Sequence, residues 1–278
     1  MLNHIFPVIT ESEKMLPLYL DGVGCHYHQD RVVRPEGYPT FQWIQCHKGQ
    51  GELIIKDQSY PVGPGQGMFL YPNETHEYFE TNEPWEVDWI GFSGCLVESL
   101  VHQLGFNSSN VFSVLDGEII LAKMRHALQI AGSGDPFKGL QCSGIIYELL
   151  LDLYKYTSHN AHSNDDSILQ QHSRLKPVLD YMEENFSHVV TLEYLANTLR
   201  ITPQHLCLLF KSTMKIRPFE HLNRIRINKS KDLMFARRDL DIKTISEMVG
   251  FDNVSYFCAV FKQIEGMSPG QFRKLHGV

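Results

Sequence analysis

The chain has 278 residues, 43% of them hydrophobic and 21% charged, with a net charge of −7; that is long enough for two modest domains with proper cores. No apolar run of about eighteen residues and no leader pattern is present, and the six cysteines (Cys25, Cys46, Cys95, Cys142, Cys207, Cys258) form no CxxC pair, so a cytoplasmic protein with free thiols and no membrane role is expected. The net charge hides an asymmetry: residues 172–278 hold 16 Lys+Arg against 11 Asp+Glu (+5), and residues 1–171 hold 9 against 21 (−12), which assigns any polyanionic partner to the back of the chain.

Residues 1–94 read as short strands separated by Gly/Pro turns. Phe41, Trp43 and Gln45 alternate with Gln42, Ile44 and Cys46, and Gly49-Gln-Gly51 reads as a turn into Glu52-Leu-Ile-Ile-Lys56. Gly65-Gln-Gly67, Met68-Phe-Leu-Tyr-Pro72, His76-Glu-Tyr-Phe79 and Trp85-Glu-Val-Asp-Trp-Ile-Gly91 continue the series. This spacing predicts a small antiparallel barrel or sandwich. His76 shares a strand face with Tyr78, and Val87 shares one with Trp89.

From residue 95 the period becomes helical. Asp135-Pro136 predicts the start of an apolar helix through Ile145, Ile146, Leu149, Leu150 and Leu153. Leu151 and Tyr154 widen its apolar surface, which suits both packing within the domain and a seam to a second copy. Residues 158–171 are polar and aperiodic, which predicts a linker. Helices are expected again from Leu175, with starts at Thr191, Thr202-Pro203 and Asp241 and a Ser268-x-x-Gln271 capping box.

The back of the chain repeats itself. Leu206-Cys-Leu-Leu-Phe210-Lys211 with Pro218 returns 51 residues later as Phe257-Cys-Ala-Val-Phe261-Lys262 with Pro269, each after an apolar stretch ending in a turn. Helix, turn and helix occurring twice predicts a duplicated helix-turn-helix that spans two adjacent stretches of major groove. At 100° per residue Leu206, Leu209 and Phe210 share one buried face, and Phe257, Val260 and Phe261 share the other. The outward faces then carry Gln204, Leu208 and Lys211, flanked by His205 and Cys207, and Ser255, Ala259 and Lys262, beside Cys258. Gln204 suits adenine and the lysines suit phosphate.

Residues 174–275 resemble the DNA-binding domain of the AraC/XylS family of bacterial transcription regulators. Leu195-Ala196, Leu206…Phe210-Lys211, Pro218, Ile242…Ile245, Gly250-Phe251, Ser255-Tyr-Phe257, Phe261-Lys262, Gly266-Met-Ser-Pro269 and Phe272-Arg273 carry the resemblance. It implies two helix-turn-helix units joined by a long helix over about residues 218–236. The family commonly has Arg two residues before the motif Phe of each unit, where this chain has Leu208 and Ala259. Lys215 stands for a usual Gly and Ser246 for a usual Ala. Base preference is therefore expected to rest on Gln204, His205, Asn253 and Ser255, with apolar contacts from Leu208 and Ala259. The candidate DNA-contacting set is completed by Cys207, Lys211, Tyr256, Cys258 and Lys262.

Residues 33–93 resemble the cupin-like effector domain found in front of many such regulators, through Arg34-Pro-Glu-Gly37, Gly49-Gln-Gly51, Gly65-Gln-Gly67, His76-Glu-Tyr78 and Pro84-Trp85…Trp89-Ile-Gly-Phe92. The last pattern is most typical of sugar-responsive members. The resemblance implies Arg34, Tyr78 and Trp89 as effector contacts, with Trp43 and His76 as further candidates. The expected chain is thus α+β multidomain: a cupin-like antiparallel β-barrel (1–94), a helical dimerisation region (95–157), a linker (158–171) and an all-α double helix-turn-helix domain (172–278). The implied partners are double-stranded DNA, a small effector such as a sugar, a second copy of the chain and RNA polymerase. The implied role is activation of a carbohydrate-use operon, with the N-terminal arm (1–20) or the linker as the contact that responds. Two alternatives are a regulator whose front domain only dimerises, and a metal-dependent cupin enzyme. His26-Tyr-His28 invites the second, but no Glu follows at cupin spacing, so no metal, cofactor or catalytic residue is expected.

Overall fold

The computed structural model describes residues 3–159 and 167–277. The chain divides into two compact units, Met1–Leu169 and Gln170–Val278. The first contains β1 (His4–Ile5), α1 (Glu11–Lys14), β2 (Tyr19–His28), β3 (Val32–Arg34), β4 (Phe41–Ile55), β5 (Gln58–Val62), β6 (Gln66–Leu70) and β7 (His76–Ser93). It continues with α2 (Val97–Gln103), β8 (Asn110–Val114), α3 (Gly117–Ala131), α4 (Lys138–Tyr156) and β9 (Thr157–His159). The sheet is antiparallel in the order β1-β2-β7-β4-β6-β8-β9, with β3 added on β7 and β5 on β4.

Two long strands organise this sheet. β4 pairs with β7 from Phe41↔Phe92 to Ile55↔His76, and the register slips between Cys46 and Gly51. Each strand is shared along its length: β7 takes β3 at residues 76–78 and β2 at residues 86–93. Gly49 lies within the slip at φ 77, where a Cβ would sit 2.1 Å from the Pro84 carbonyl oxygen. Gly49-Gln-Gly51, expected as a turn, is therefore a bulge in one continuous strand: the chain bends there and does not reverse. Residues 76–79 and 85–91, expected as two strands, are likewise the single strand β7.

Side-chain alternation divides the apolar residues between two cores. Ile44, Cys46, Leu53, Ile55, Tyr78, Trp85 and Val87 share one. Phe41, Trp43, Ile90 and Phe92 share the other with Ile120, Met124 and Ala127 of α3 and Ile146, Leu149, Leu150 and Leu153 of α4. Residues 95–157 are accordingly not a separate helical region. β8 pairs with β6 and β9 with β8, because Val111, Phe112 and Val114 are buried against the sheet. A five-residue strand between helices is too short for periodicity to reveal. Helix α4 starts at Lys138, later than Asp135-Pro136 suggested, because the Asp135 carboxylate accepts from the Phe137 N–H (2.7 Å) in a turn that precedes it.

Of the expected linker 158–171, residues 160–166 lie outside the described residues; Ser158 belongs to β9 and Ile168 already opens a helix. The second unit contains α5 (Ile168–Glu184), α6 (Leu192–Thr198), α7 (Pro203–Met214), α8 (Pro218–Ala236), α9 (Ile242–Met248), α10 (Val254–Glu265) and α11 (Pro269–His276). Thr191, Thr202, Asp241, Asn253 and Ser268 are N-caps whose side chains accept a backbone N–H three residues on. α6–α7 and α9–α10 are the two helix-turn-helix pairs, each with its own core.

The two pairs match in backbone and differ in side chain. Their turns carry Arg200 at φ 56 and Gly250 at φ 87, and α7 and α10 end on Lys215 at φ 59 and Gly266 at φ 76. Ser246 occupies the place of Ala196; it is 1% exposed and its hydroxyl donates to the Lys243 carbonyl (2.9 Å), so the extra oxygen is satisfied. Lys215 meets no such compensation, since a Cβ in the left-handed region is strained and its Nζ bond to the Ser212 carbonyl is exposed. Lys215→Gly is expected to stabilise the protein by about 0.5–1 kcal/mol, the relief of strain exceeding the freedom gained by the unfolded chain. Urea unfolding checks this: an unchanged or lower midpoint would contradict it.

Candidate effector pocket and nucleic-acid interface

A cavity of about 240 Å³ opens beside the first core, lined by His4, Phe6, Tyr27, Gln29, Val32, Arg34, Tyr38, Gln42, Ile44, Tyr78 and Trp89. That volume is roughly eight waters' share, the scale of a small metabolite. A crevice near residues 7–9 and α4 encloses only about 20 Å³, too little for one. Trp89 is seated by two close approaches: a Cβ on Gly24 would lie 2.4 Å from its Nε1, and one on Gly22 3.2 Å from its ring. Phe6 packs over the same indole, with ring centroids 5.4 Å apart, because β1 pairs His4 with Gly24 and Ile5 with Val23.

Arg34 is the cavity's cation. Its Nη1 donates to Gln42 Oε1 (2.5 Å), and its guanidinium lies 4.4 Å from the Tyr38 ring centroid and 5.8 Å from that of Tyr78. Among the described residues no carboxylate pairs with it, and the partner of its Nη1 and the rings beside it are neutral. Tyr38 in turn donates to Asp21 Oδ2 (3.2 Å). Burial holds the Tyr78 phenol above its usual pKa, so at neutral pH it is a protonated donor.

Three of the five expected effector contacts, Arg34, Tyr78 and Trp89, line this cavity; Trp43 and His76 do not. Trp43 is fully buried on the opposite face of β4, donating from Nε1 to Gln45 Oε1 (3.2 Å) and packed so tightly on Gly67 that a Cβ there would meet its ring at 2.2 Å. The alternation read from the sequence is present; it is Gln42 and Ile44, on the other parity, that reach the cavity. His76 is 2% exposed and stands behind Arg34. Its Nδ1 faces the Glu74 carbonyl (2.7 Å), so Nδ1 carries the proton and Nε2, 3.5 Å from Arg34 Nη1, is the acceptor. Burial pushes its pKa down and keeps it neutral beside the arginine. His4, Phe6, Tyr27, Gln29 and Tyr38 were not anticipated. They come from segments without a strong pattern, and only pairing brings them to the cavity.

In the second unit, burial of Leu206, Leu209 and Phe210 on α7 and of Phe257, Val260 and Phe261 on α10 orients both helices. Each fully buried side chain of this size is worth roughly 1.5–3 kcal/mol, so rotating either helix to show another face is prohibitive. Gln204, His205, Leu208 (69% exposed) and Lys211 are left outward on α7, and Ser255, Ala259 and Lys262 on α10. The remaining candidates sit differently. Cys258 is half-buried against the second core. Cys207 and Tyr256 border a cleft lined also by Arg217, Asn223 and Arg224, with Asn223 Nδ2 donating to the Tyr256 hydroxyl (3.4 Å). Asn253 caps α10, its Oδ1 accepting from the Tyr256 N–H (3.0 Å), which leaves only its NH₂ for another partner and denies it a bidentate grip on adenine.

Among the described residues no helix is long and apolar enough to cross a membrane, and all six cysteines are free. Residues 17–150 match the model of an AraC-like ligand binding domain, and residues 195–275 match that of a helix-turn-helix domain. The MmsAB operon regulatory protein of Pseudomonas aeruginosa is 24% identical, over 92% of this chain and 83% of its own. The raffinose operon transcriptional regulatory protein of Pediococcus pentosaceus is 24% identical over 83% of each chain. The arabinose operon regulatory protein of Salmonella typhimurium is 25% identical over 95% of this chain and 98% of its own. With an effector-binding sheet domain in front and a duplicated helix-turn-helix behind, the chain belongs to the AraC family of DNA-binding transcription regulators.

Proposed function

We propose that this regulator responds to a sugar or a related polyhydroxyl metabolite held in the cavity of the first unit, and that it activates a carbohydrate-use operon. Its support is the convergence in one cavity of a guanidinium held by neutral partners, a protonated phenol and an indole face: Arg34, Tyr78 and Trp89. Donors and an aromatic plane are what a ring of hydroxyls needs. Two relatives are named for arabinose and raffinose operons, in keeping with this ligand class. The cavity lining offers one histidine, His4, and no carboxylate, a poor donor set for a catalytic metal, which favours a sensor over a cupin enzyme.

The same cavity touches the N-terminal arm. β1 is held by two residue pairs and Phe6 leans on Trp89, so an occupant of the cavity meets the arm directly. A ligand shifts an equilibrium only through different contacts in the two states, and the arm is where we place that difference. Helix α4 supplies the dimer. Besides its buried stripe it exposes Leu140, Tyr147 and Leu151, after an exposed Phe137 at its N-cap, and with Gly144 these follow the alternating three- and four-residue spacing of a helix–helix seam. In this reading Gln204, His205, Leu208 and Lys211 of α7 and Ser255, Ala259 and Lys262 of α10 meet DNA, and bound effector improves contact with RNA polymerase.

Two experiments test these assignments. In thermal unfolding against a sugar panel, one compound should raise the midpoint of the wild type and not of Arg34→Ala, since a ligand of the folded state stabilises by RT ln(1 + [L]/Kd). Removal of residues 1–12, which takes His4 and Phe6 out of the cavity wall, should weaken that binding and abolish its effect on transcription; a panel with no hit counts against the sensor assignment, and an effect that survives the deletion counts against the arm. In selection from a random duplex library, the full chain should enrich a site made of repeated half-motifs, and Leu140→Glu with Leu151→Glu a single copy. Leu208→Arg and Ala259→Arg should move the preference towards guanine by about 1–3 kcal/mol per position. Unchanged motifs in both arginine variants would remove α7 and α10 from the interface.

A further inference from the structure

Two of the irregularities in the sheet lie at the same level on either side of β7. On β2 the register runs Gly24↔Trp89 and then Tyr27↔Val87, so Cys25 and His26 both stand opposite Asp88. On β4 it runs Cys46↔Val87 and then Lys48↔Glu86, which makes His47 the extra residue. Bulges of this kind re-aim a side chain. His26 sits in the left-handed region at φ 51, and its N–H donates to the buried Asp88 Oδ1 (2.7 Å), which anchors the bulge. The outcome is that the His26 and His47 rings come together at 4.6 Å between centroids and 89°. Glu86 lies on the strand between them, and one ligand atom from each of the three lies within 4.8 Å of the others.

We propose that His26, His47 and Glu86 form a binding site for one divalent transition-metal ion. Glu86 shares a strand face with Asp88 and opposes Val87 and Trp89, so the site is on the side of the sheet away from the effector cavity. It is distinct from the cupin-type centre considered for the sequence, where His26 would have worked with His28. His28 instead lies 3.8 Å from Asp30 and 4.0 Å from Glu80. Two imidazoles and one carboxylate select Zn²⁺, Ni²⁺ or Cu²⁺ over Mg²⁺ or Ca²⁺. Bonds of 2.0–2.2 Å bring tetrahedral ligand atoms to about 3.4 Å apart, which these exposed and half-buried side chains reach by rotation. Lys48 Nζ is 3.7 Å from Glu86 Oε1, and the ion would displace it. Three protein ligands leave the remaining positions to water, and the ion would cross-tie β2, β7 and β4 at their bulges.

The test uses the full chain, stripped with chelator, dialysed and titrated with ZnCl₂ by calorimetry alongside thermal unfolding. Wild type and the control His28→Ala should bind Zn²⁺ and unfold at a higher temperature with it. The double variant His26→Asn, His47→Gln should bind one equivalent fewer and lose that temperature increment; Asn tolerates the left-handed φ at position 26. Zinc held by others of the 14 histidines is common to all variants, so the difference is what counts. Should the double variant fail to fold by circular dichroism, Glu86→Gln, with affinity lowered roughly tenfold or more, serves in its place. A wild type that takes no Zn²⁺, or variants with undiminished stoichiometry and affinity, would overturn the proposal.

Discussion

The pairing of β4 with β7 is the constraint on which the first unit depends. Thirteen residue pairs join the two strands, and every other strand of the sheet attaches directly or through a neighbour to one of them. Because successive residues point to opposite sides, this ladder decides which side chains meet the cavity and which meet the helices. Trp89 and Ile44 go one way; Ile90 and Trp43 go the other. A slip of one residue would exchange the two sets, moving Asp88 and Glu86 into the cavity wall and turning the indole of Trp89 into the helix layer.

The second unit rests on a different kind of constraint, local at its ends and apolar at its centre. Five side-chain caps define where helices begin, and two small cores define how they turn. The outward faces of α7 and α10 follow from what must be buried. In both repeats the turns and helix ends need left-handed residues. The second uses glycine at both places, whereas the first uses Arg200 and Lys215 and accepts the strain.

Much of this was legible in the sequence wherever a signal is short-range. The N-caps at Thr191, Thr202, Asp241 and Ser268 and the buried faces of the repeat follow from patterns a few residues wide, and the helix from Pro218 to Ala236 follows from the family resemblance. The misreadings share one cause. Gly49-Gln-Gly51 carries the composition of a turn, and only the partner strand, with the Pro84 carbonyl against Gly49, makes it a bulge. Asn253 is polar and exposed like a base reader, yet its oxygen is taken by the helix it starts. β8 and β9 are too short to show a period, and they are strands because β6 has an open edge to receive them.

The sequence by itself determined that there are two domains of opposite charge, that the rear one is a duplicated helix-turn-helix, and which residues of its helices turn outward. Those properties arise from spacing and burial within one or two turns of chain. Only the tertiary structure decided which face of β4 borders the cavity, that His4 and Phe6 of the arm join Arg34, Tyr78 and Trp89 there, and that His26 meets His47 and not His28. Strand parity separates residues into two sets without saying which set faces inward, and contacts between strands distant in sequence depend on a register that only the assembled sheet supplies.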